Sequence, residues 1–164
     1  MDLTQEDKDE FLHKHLRHRL TLLRTLTKRT GDNYNFVGQG DIYRCVKDSN
    51  LIAVRMFLNF FGLKGIFQNE TFELAEQPSK HQDDILIDKF IGHLIKPDEI
   101  SKNSQRILAG VYIRADKELA HITNKFNREF NEESALISAA SLIEELLKKH
   151  LYDYLGMQLP ELDV

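Results

Sequence analysis

The chain has 164 residues, of which 41% are hydrophobic and 29% charged, and its formal net charge at pH 7 is −4. This length predicts a single domain over residues 1–164 with a real hydrophobic core, and the composition is ordinary for a soluble globular protein. Three prolines and eight glycines argue against a turn-dense β architecture. The negative charge argues against a general DNA-binding protein but leaves room for a local basic surface.

The first predicted element is an N-terminal basic amphipathic helix over residues 4–30. Thr4 and Asp7 have the spacing of a capping box, with Asp in the usual place of Glu or Gln, and Gly31 supplies a stop. Leucines at helical spacing form one apolar side of this helix. Between His13 and Arg29 there are six Lys or Arg residues and no Asp or Glu, so the opposite side is strongly basic.

A second helix is predicted from Asp41 to about Gly62, and it is apolar on nearly all sides, as expected of a helix in the middle of a bundle. Arg55 lies inside this apolar pattern and needs a partner or an exit to solvent, because a buried unpaired charge is costly. Glu144 or Glu145 is the expected partner. The single cysteine, Cys45, lies in the same pattern and is predicted to be a buried structural thiol.

The helical pattern weakens from Lys64 to Lys80, and Gln77 to Lys80 is predicted to be a loop or excursion. A shorter helix is then predicted from Asp83 to Ile95. A fourth helix follows from Asp98 or Ser101 to about Phe126, and a fifth from Asn131 to Gly156. No segment shows the sustained alternation of a β-strand. The predicted fold class is therefore all-α, an up-and-down bundle of four long helices plus one short helix.

The sequence also favours a cytoplasmic location and no membrane partner. The first ten residues are acidic and polar, unlike a signal peptide. The most apolar run, Leu51 to Phe67, contains three polar or charged residues and is too short to cross a bilayer. One cysteine in 164 residues is consistent with a reducing compartment.

Arg114 and His121 in the predicted fourth helix form the candidate catalytic pair. Seven positions correspond to two helical turns, so both side chains leave the same face about 10 Å apart. A permanently charged guanidinium beside an imidazole that titrates near neutrality suits chemistry at a phosphodiester. The alternative is that Arg114 pairs with Glu118 on a solvated helix and that His121 is an ordinary boundary residue.

The segment from Ile113 to Thr123 resembles the second motif helix of the HEPN superfamily, whose signature is an Arg, four to six residues and then a His. The likeness is closest to abortive-infection-like and uncharacterised members, in which an Asn/Asp-Lys-x-x-Ala-His-Leu-Thr-type segment recurs. The segment from Ser49 to Phe61, with its Arg and its Phe-Phe pair, resembles their first motif helix. Asp83-Asp84-Ile-Leu resembles the connection between the two, so the resemblance covers roughly residues 42–150.

This resemblance implies a helical bundle, usually dimeric, whose Arg/His motifs face a groove between subunits and, in active members, cleave RNA without a metal. His121 would then exchange the proton of a 2′-hydroxyl or of the leaving oxygen, and Arg114 would stabilise charge on the phosphate oxygens, with Asp116 and Lys117 as accessory residues. One departure matters. Ala115 stands where the family usually has Asn, Asp or His, and Asp116 points about 200° away from Arg114.

Two functions follow as expectations. The first is a non-catalytic HEPN-like module of a defence or toxin–antitoxin type system that binds a nucleotide, a nucleic acid or a protein. The alternative is a metal-independent endoribonuclease that uses Arg114 and His121. Either would form a homodimer, with RNA or a protein as partner. No cofactor is expected, and no metal, because His15 and His18 have no acid or cysteine beside them.

The basic side of the first helix is the candidate nucleic-acid-binding surface. His13, Arg17, Arg24 and Lys28 could hold an RNA backbone, each with a salt-dependent contribution. The alternative is that these residues form a solvated face or pair with acids from neighbouring helices.

Overall fold

The computed structural model describes residues 3–31, 40–77, 84–119 and 132–161. Helix α1 consists of three consecutive segments, Gln5–Glu10, Phe11–Leu16 and Arg17–Gly31. It is followed by α2 (Gly40–Phe61), β1 (Leu63–Gln68), β2 (Thr71–Glu76), α3 (Asp88–Ile91) and a 3-10 turn (Pro97–Glu99). Helices α4 (Lys102–Leu119) and α5 (Glu132–Leu147) come next, and α5 continues as a π-helical segment (Lys148–Tyr152). The described residues are mostly helical, as predicted, and they include one β-hairpin.

Helix α1 begins and ends within one residue of its predicted limits because local signals determine both ends. The capping box forms: the Asp7 amide donates to Thr4 Oγ1 (3.2 Å), and the Thr4 amide donates to Asp7 Oδ2 (2.9 Å). The middle segment of α1, Phe11–Leu16, is π-helical. Such short π-helical stretches are rare and frequently lie at functional sites.

The core is centred on α2, which packs against α1, α4 and α5. Its large fully buried side chains include Leu51, Phe57, Leu58 and Phe61. The central position predicted for this helix is therefore confirmed. The prediction of a buried Cys45 was wrong, because this thiol is exposed near the start of α2.

The all-α prediction was wrong for residues 63–76, which form an antiparallel hairpin. Strands β1 and β2 pair from Leu63↔Glu76 to Gln68↔Thr71, so only Asn69 and Glu70 remain for the turn. Both turn residues have positive φ, 50° and 60°, which matches the twist that two-residue hairpin turns require. The hairpin packs on α4 through Gly65, where an added Cβ would lie 2.6 Å from the Ala109 carbonyl oxygen.

Helix α3 is much shorter than the predicted Asp83 to Ile95. It covers Asp88–Ile91 and ends at Gly92, whose φ of 82° places it in the left-handed conformation that commonly terminates helices. The predicted third helix therefore reduces to about one turn. The predicted C-terminal end of the fourth helix, near Phe126, lies outside the described residues. The π-helical continuation of α5 ends at Tyr152, four residues before the predicted limit at Gly156.

Candidate functional site

A pocket of about 780 Å³ opens beside the hairpin and is lined by residues of α1, α2, β1 and α4. Its volume lies within the range of about 300–1,000 Å³ that is usual for small-molecule sites. Apolar and aromatic side chains line part of it, and charged and amide side chains line the rest. The charged residues are Arg19, Arg55, Lys64, Asp84 and Asp116.

The apolar part of the pocket contains aromatic rings that pack on one another. Phe11, in the π-helical segment of α1, lies 5.6 Å from Phe60 and 5.3 Å from Phe90, measured between ring centroids. Phe60 and Phe90 meet edge to face at 6.0 Å. Phe11 stays half-buried, so it offers apolar ring surface to the pocket, while the mutual contacts fix its position.

Arg55 of α2 and Asp116 of α4 form an ion pair at the pocket, with Nη2 and Oδ1 3.0 Å apart. The Arg55 Cζ also lies 5.9 Å from the centre of the Tyr112 ring, in cation–π range. Its Nε is buried and has no hydrogen-bond partner among the described residues. The predicted pairing of Arg55 with Glu144 or Glu145 was wrong, because Asp116 takes that place.

An amide and hydroxyl cluster holds the polar part of the pocket together. Gln77 Nε2 donates to Asn59 Oδ1 (3.2 Å), and the Tyr112 hydroxyl donates to the same oxygen (3.1 Å). The Tyr112 hydroxyl also lies 3.4 Å from Gln77 Oε1. These bonds connect α2, the end of the hairpin and α4, so they fix the ring over which Arg55 lies.

The structure describes three of the four residues of the predicted catalytic site, all on α4. Arg114 is half-buried on α4, whereas Ala115 faces the core with 1% of its surface exposed. Asp116 pairs with Arg55 of α2. Lys117 is exposed. His121 lies outside the described residues, so its pairing with Arg114 stays a prediction.

The predicted basic surface of α1 divides into exposed and engaged residues. His13 and Arg17 are exposed. Arg24 is engaged within the fold: it donates from Nη2 to Glu144 Oε2 (2.7 Å) and from Nη1 to the Pro160 carbonyl (2.9 Å). The side chain of Lys28 lies outside the described residues. Nucleic-acid binding by this surface stays a prediction. For Arg24, the observed contact with Glu144 agrees with the alternative, in which the basic residues pair with acids of neighbouring helices.

A second group of titratable residues lies near the C-terminal end of α5. His150 is 8% exposed, and its Nδ1 lies 3.9 Å from Glu99 Oε2. Burial is the main cause that lowers the His150 pKa. Tyr152 is almost fully buried, and its hydroxyl has no hydrogen-bond partner within the described ranges; burial raises its pKa to about 12. His150 and Tyr152 are buried, and none of these three residues lines the pocket.

Sequence reasoning singled out Arg55 and, in a different role, Asp116, but it missed the amide and hydroxyl cluster of the pocket. Asn59, Gln77 and Tyr112 are far apart in the chain, so only the packing of α2, the hairpin and α4 brings them together. The one local signal was an arginine inside an otherwise apolar helix, which demands a partner.

Comparison with known proteins gives no relative for this chain: no family model, no curated protein sequence and no solved structure matches it. Within the described part of the chain, no helix combines the length and the apolar character needed to cross a membrane. In the same residues, no group of three or more His, Cys, Asp or Glu side chains is placed to hold a metal ion.

Proposed function

We propose that this chain is a non-catalytic module that binds a nucleotide. The observation that carries this proposal is the combination, in one pocket, of packed aromatic rings with the partly exposed guanidinium of Arg55. A nucleotide presents the matching combination, a flat base and a charged phosphate. The HEPN-like segments support a role in a defence or toxin–antitoxin type system, with the homodimer that the resemblance implies.

Each part of the pocket has a chemical counterpart in a nucleotide. A guanidinium binds phosphate oxygens with geometry that matches its planar set of N–H donors. Phe11, whose ring is half-buried at the pocket and held by its contact with Phe60, offers apolar surface for a base, and stacking on aromatic side chains contributes about 1–3 kcal/mol per base. The amides of Asn59 and Gln77 are suited to hydrogen bonds with the base or the ribose.

The environment of Ala115 supports a binding role rather than catalysis. In the HEPN superfamily, the position directly after the motif arginine usually carries a polar residue. In this chain that position is Ala115, whose methyl group packs in the core. The side chain at this position therefore offers no proton-transfer group and no hydrogen bond to a reacting phosphate.

Nucleotide binding is tested by calorimetric titration of the purified protein with each of the four ribonucleoside 5′-monophosphates. We expect saturable binding of at least one of them and a loss of at least tenfold in affinity for Arg55→Met. Arg106→Met is the matched control, because Arg106 is an exposed arginine of α4 outside the pocket, and it should bind like the wild type. The absence of saturable binding for all four nucleotides would overturn the proposal.

The ribonuclease alternative makes the opposite prediction and is tested with the same preparation. The protein is incubated with single-stranded RNA in the presence of a chelator, and we expect the RNA to stay intact. Metal-independent cleavage by the wild type that disappears in His121→Ala would establish the alternative instead. Sedimentation analysis of the same sample tests the proposed homodimer.

A further inference from the structure

Arg55 and Asp116 form an ion pair, so the guanidinium in the pocket that is best suited to bind a phosphate already contacts a carboxylate. Its Nη2–Oδ1 distance is 3.0 Å, and the two side chains are 36% and 42% exposed. A carboxylate and a phosphate oxygen are both anionic acceptors, so they compete for the same donors of a guanidinium. Any phosphate that binds Arg55 through Nη2 must therefore share that donor with Asp116 or replace Asp116 there.

Arg55 has contacts that do not depend on Asp116. Its guanidinium lies 5.9 Å from the centre of the Tyr112 ring, and the Tyr112 hydroxyl donates to Asn59 Oδ1 at 3.1 Å. Tyr112 is 8% exposed, so this ring is fixed by packing as well as by its hydrogen bond. If Asp116 leaves, the tyrosine still holds the guanidinium at the pocket.

Asp116, in contrast, can leave Arg55 at low cost. A solvent-exposed or half-exposed ion pair contributes only about 0–1 kcal/mol, because water stabilises both separated charges well. An Arg–phosphate contact can form two parallel hydrogen bonds and is the stronger of the two interactions.

We propose that Asp116 is an internal competitor for the ligand's phosphate, and that ligand binding exchanges the Asp116 carboxylate for a phosphate oxygen on Arg55. This inference rests on the proposed nucleotide-binding function and names Asp116 as a residue that sets affinity and specificity at that site. A nucleoside without a phosphate has no anionic group to exchange, so Asp116 affects only the phosphorylated ligand.

The exchange is tested by titrating the wild type, Asp116→Asn and Asp116→Glu with each 5′-monophosphate and with its uncharged nucleoside. Asp116→Asn removes the competing charge but keeps a hydrogen-bond acceptor, so we expect affinity for the bound nucleotide to rise about fivefold, which corresponds to about 1 kcal/mol. Affinity for the nucleoside should change less than twofold. Asp116→Glu keeps a competing carboxylate and should stay near wild-type affinity.

Asp98→Asn is the matched control, because it removes one negative charge at an exposed position outside the pocket. It should leave nucleotide affinity unchanged. If Arg55→Met weakens nucleotide binding but Asp116→Asn leaves it unchanged or weaker, the exchange is refuted while the proposed function stands. An equal gain in affinity for nucleotide and nucleoside also refutes the exchange. If no variant binds any nucleotide, both proposals fail together.

Discussion

Arg24 of α1 and Glu144 of α5 form an ion pair in which Nη2 lies 2.7 Å from Oε2, although 120 residues separate them in the chain. The second terminal nitrogen of Arg24 donates to the Pro160 carbonyl at 2.9 Å, so one guanidinium connects the first helix, the last helix and the C-terminal segment. The Arg24 side chain is only 12% exposed and that of Glu144 25%. This degree of burial makes the contact structural, because water screens it less than a surface pair.

Arg24→Ala should lower the free energy of unfolding by about 2–3 kcal/mol, because it leaves Glu144 and the Pro160 carbonyl without their charged donor. Urea unfolding measures this loss. Arg17→Ala removes an exposed arginine of the same helix and should stay within about 0.5 kcal/mol of the wild type. An Arg24→Ala protein of wild-type stability with weakened RNA binding would instead place Arg24 on a nucleic-acid surface.

Stability should fall as the pH drops below about 6.5, the ordinary pKa of histidine, because of His150. Burial is the largest cause that lowers its pKa in the folded state; Lys149 and His93 act in the same direction, and Glu99 opposes them. The unfolded chain therefore binds the proton more readily than the folded one. The stability that neutral His150 contributes is fully present above pH 6.5 and is lost as the pH falls through the lowered folded-state pKa.

His150→Gln cannot be protonated, so its unfolding free energy should depend less on pH between 7 and 5 than that of the wild type. Urea unfolding at each pH gives the comparison. His13→Gln is the control, because His13 is exposed and should leave the wild-type pH dependence in place. Identical pH profiles for the wild type and His150→Gln would show that His150 is not the group responsible.

Gly65→Ala should destabilise the fold by about 1–3 kcal/mol, the usual cost of adding a methyl group to a closely packed site. The added Cβ would lie 2.6 Å from the Ala109 carbonyl oxygen and 3.0 Å from its Cα, both backbone atoms of α4. The hairpin must therefore move away from the helix. Thermal unfolding measures the effect, with Gln68→Ala at an exposed position of the same strand as control. Equal stability would mean that the strand shifts at no cost.

Glu70→Gly should stabilise the hairpin by about 0.5–1 kcal/mol, because Glu70 has a φ of 60°, a conformation that side chains with a Cβ disfavour. It would also produce the Asn-Gly sequence preferred in two-residue hairpin turns. Glu73→Gly, in the exposed part of β2, should have the opposite effect because glycine weakens strands. Chemical unfolding of the two variants compares them, and a destabilised Glu70→Gly protein would contradict the turn geometry.

The sequence predicted the helices well where local signals determine their ends. The capping box at Thr4 and the glycine at Gly31 gave the limits of α1 to within one residue. The hairpin escaped prediction because its alternation is weak: Gly65 interrupts the apolar face, and Asn69-Glu70 lacks the glycine that usually reveals such a turn. It forms because Gly65 allows β1 to approach α4 closely, which is a tertiary contact.

The sequence by itself determined that Arg55, which lies inside an apolar helix, needs a partner. It also determined that α1 has a strongly basic side. Only the tertiary structure decided the partners, Asp116 for Arg55 and Glu144 for Arg24. Helical periodicity predicts the face on which a side chain lies, but the partner across a helix interface depends on how the helices are rotated and shifted along their axes. That alignment is determined by the packing of the whole core, which no local pattern contains.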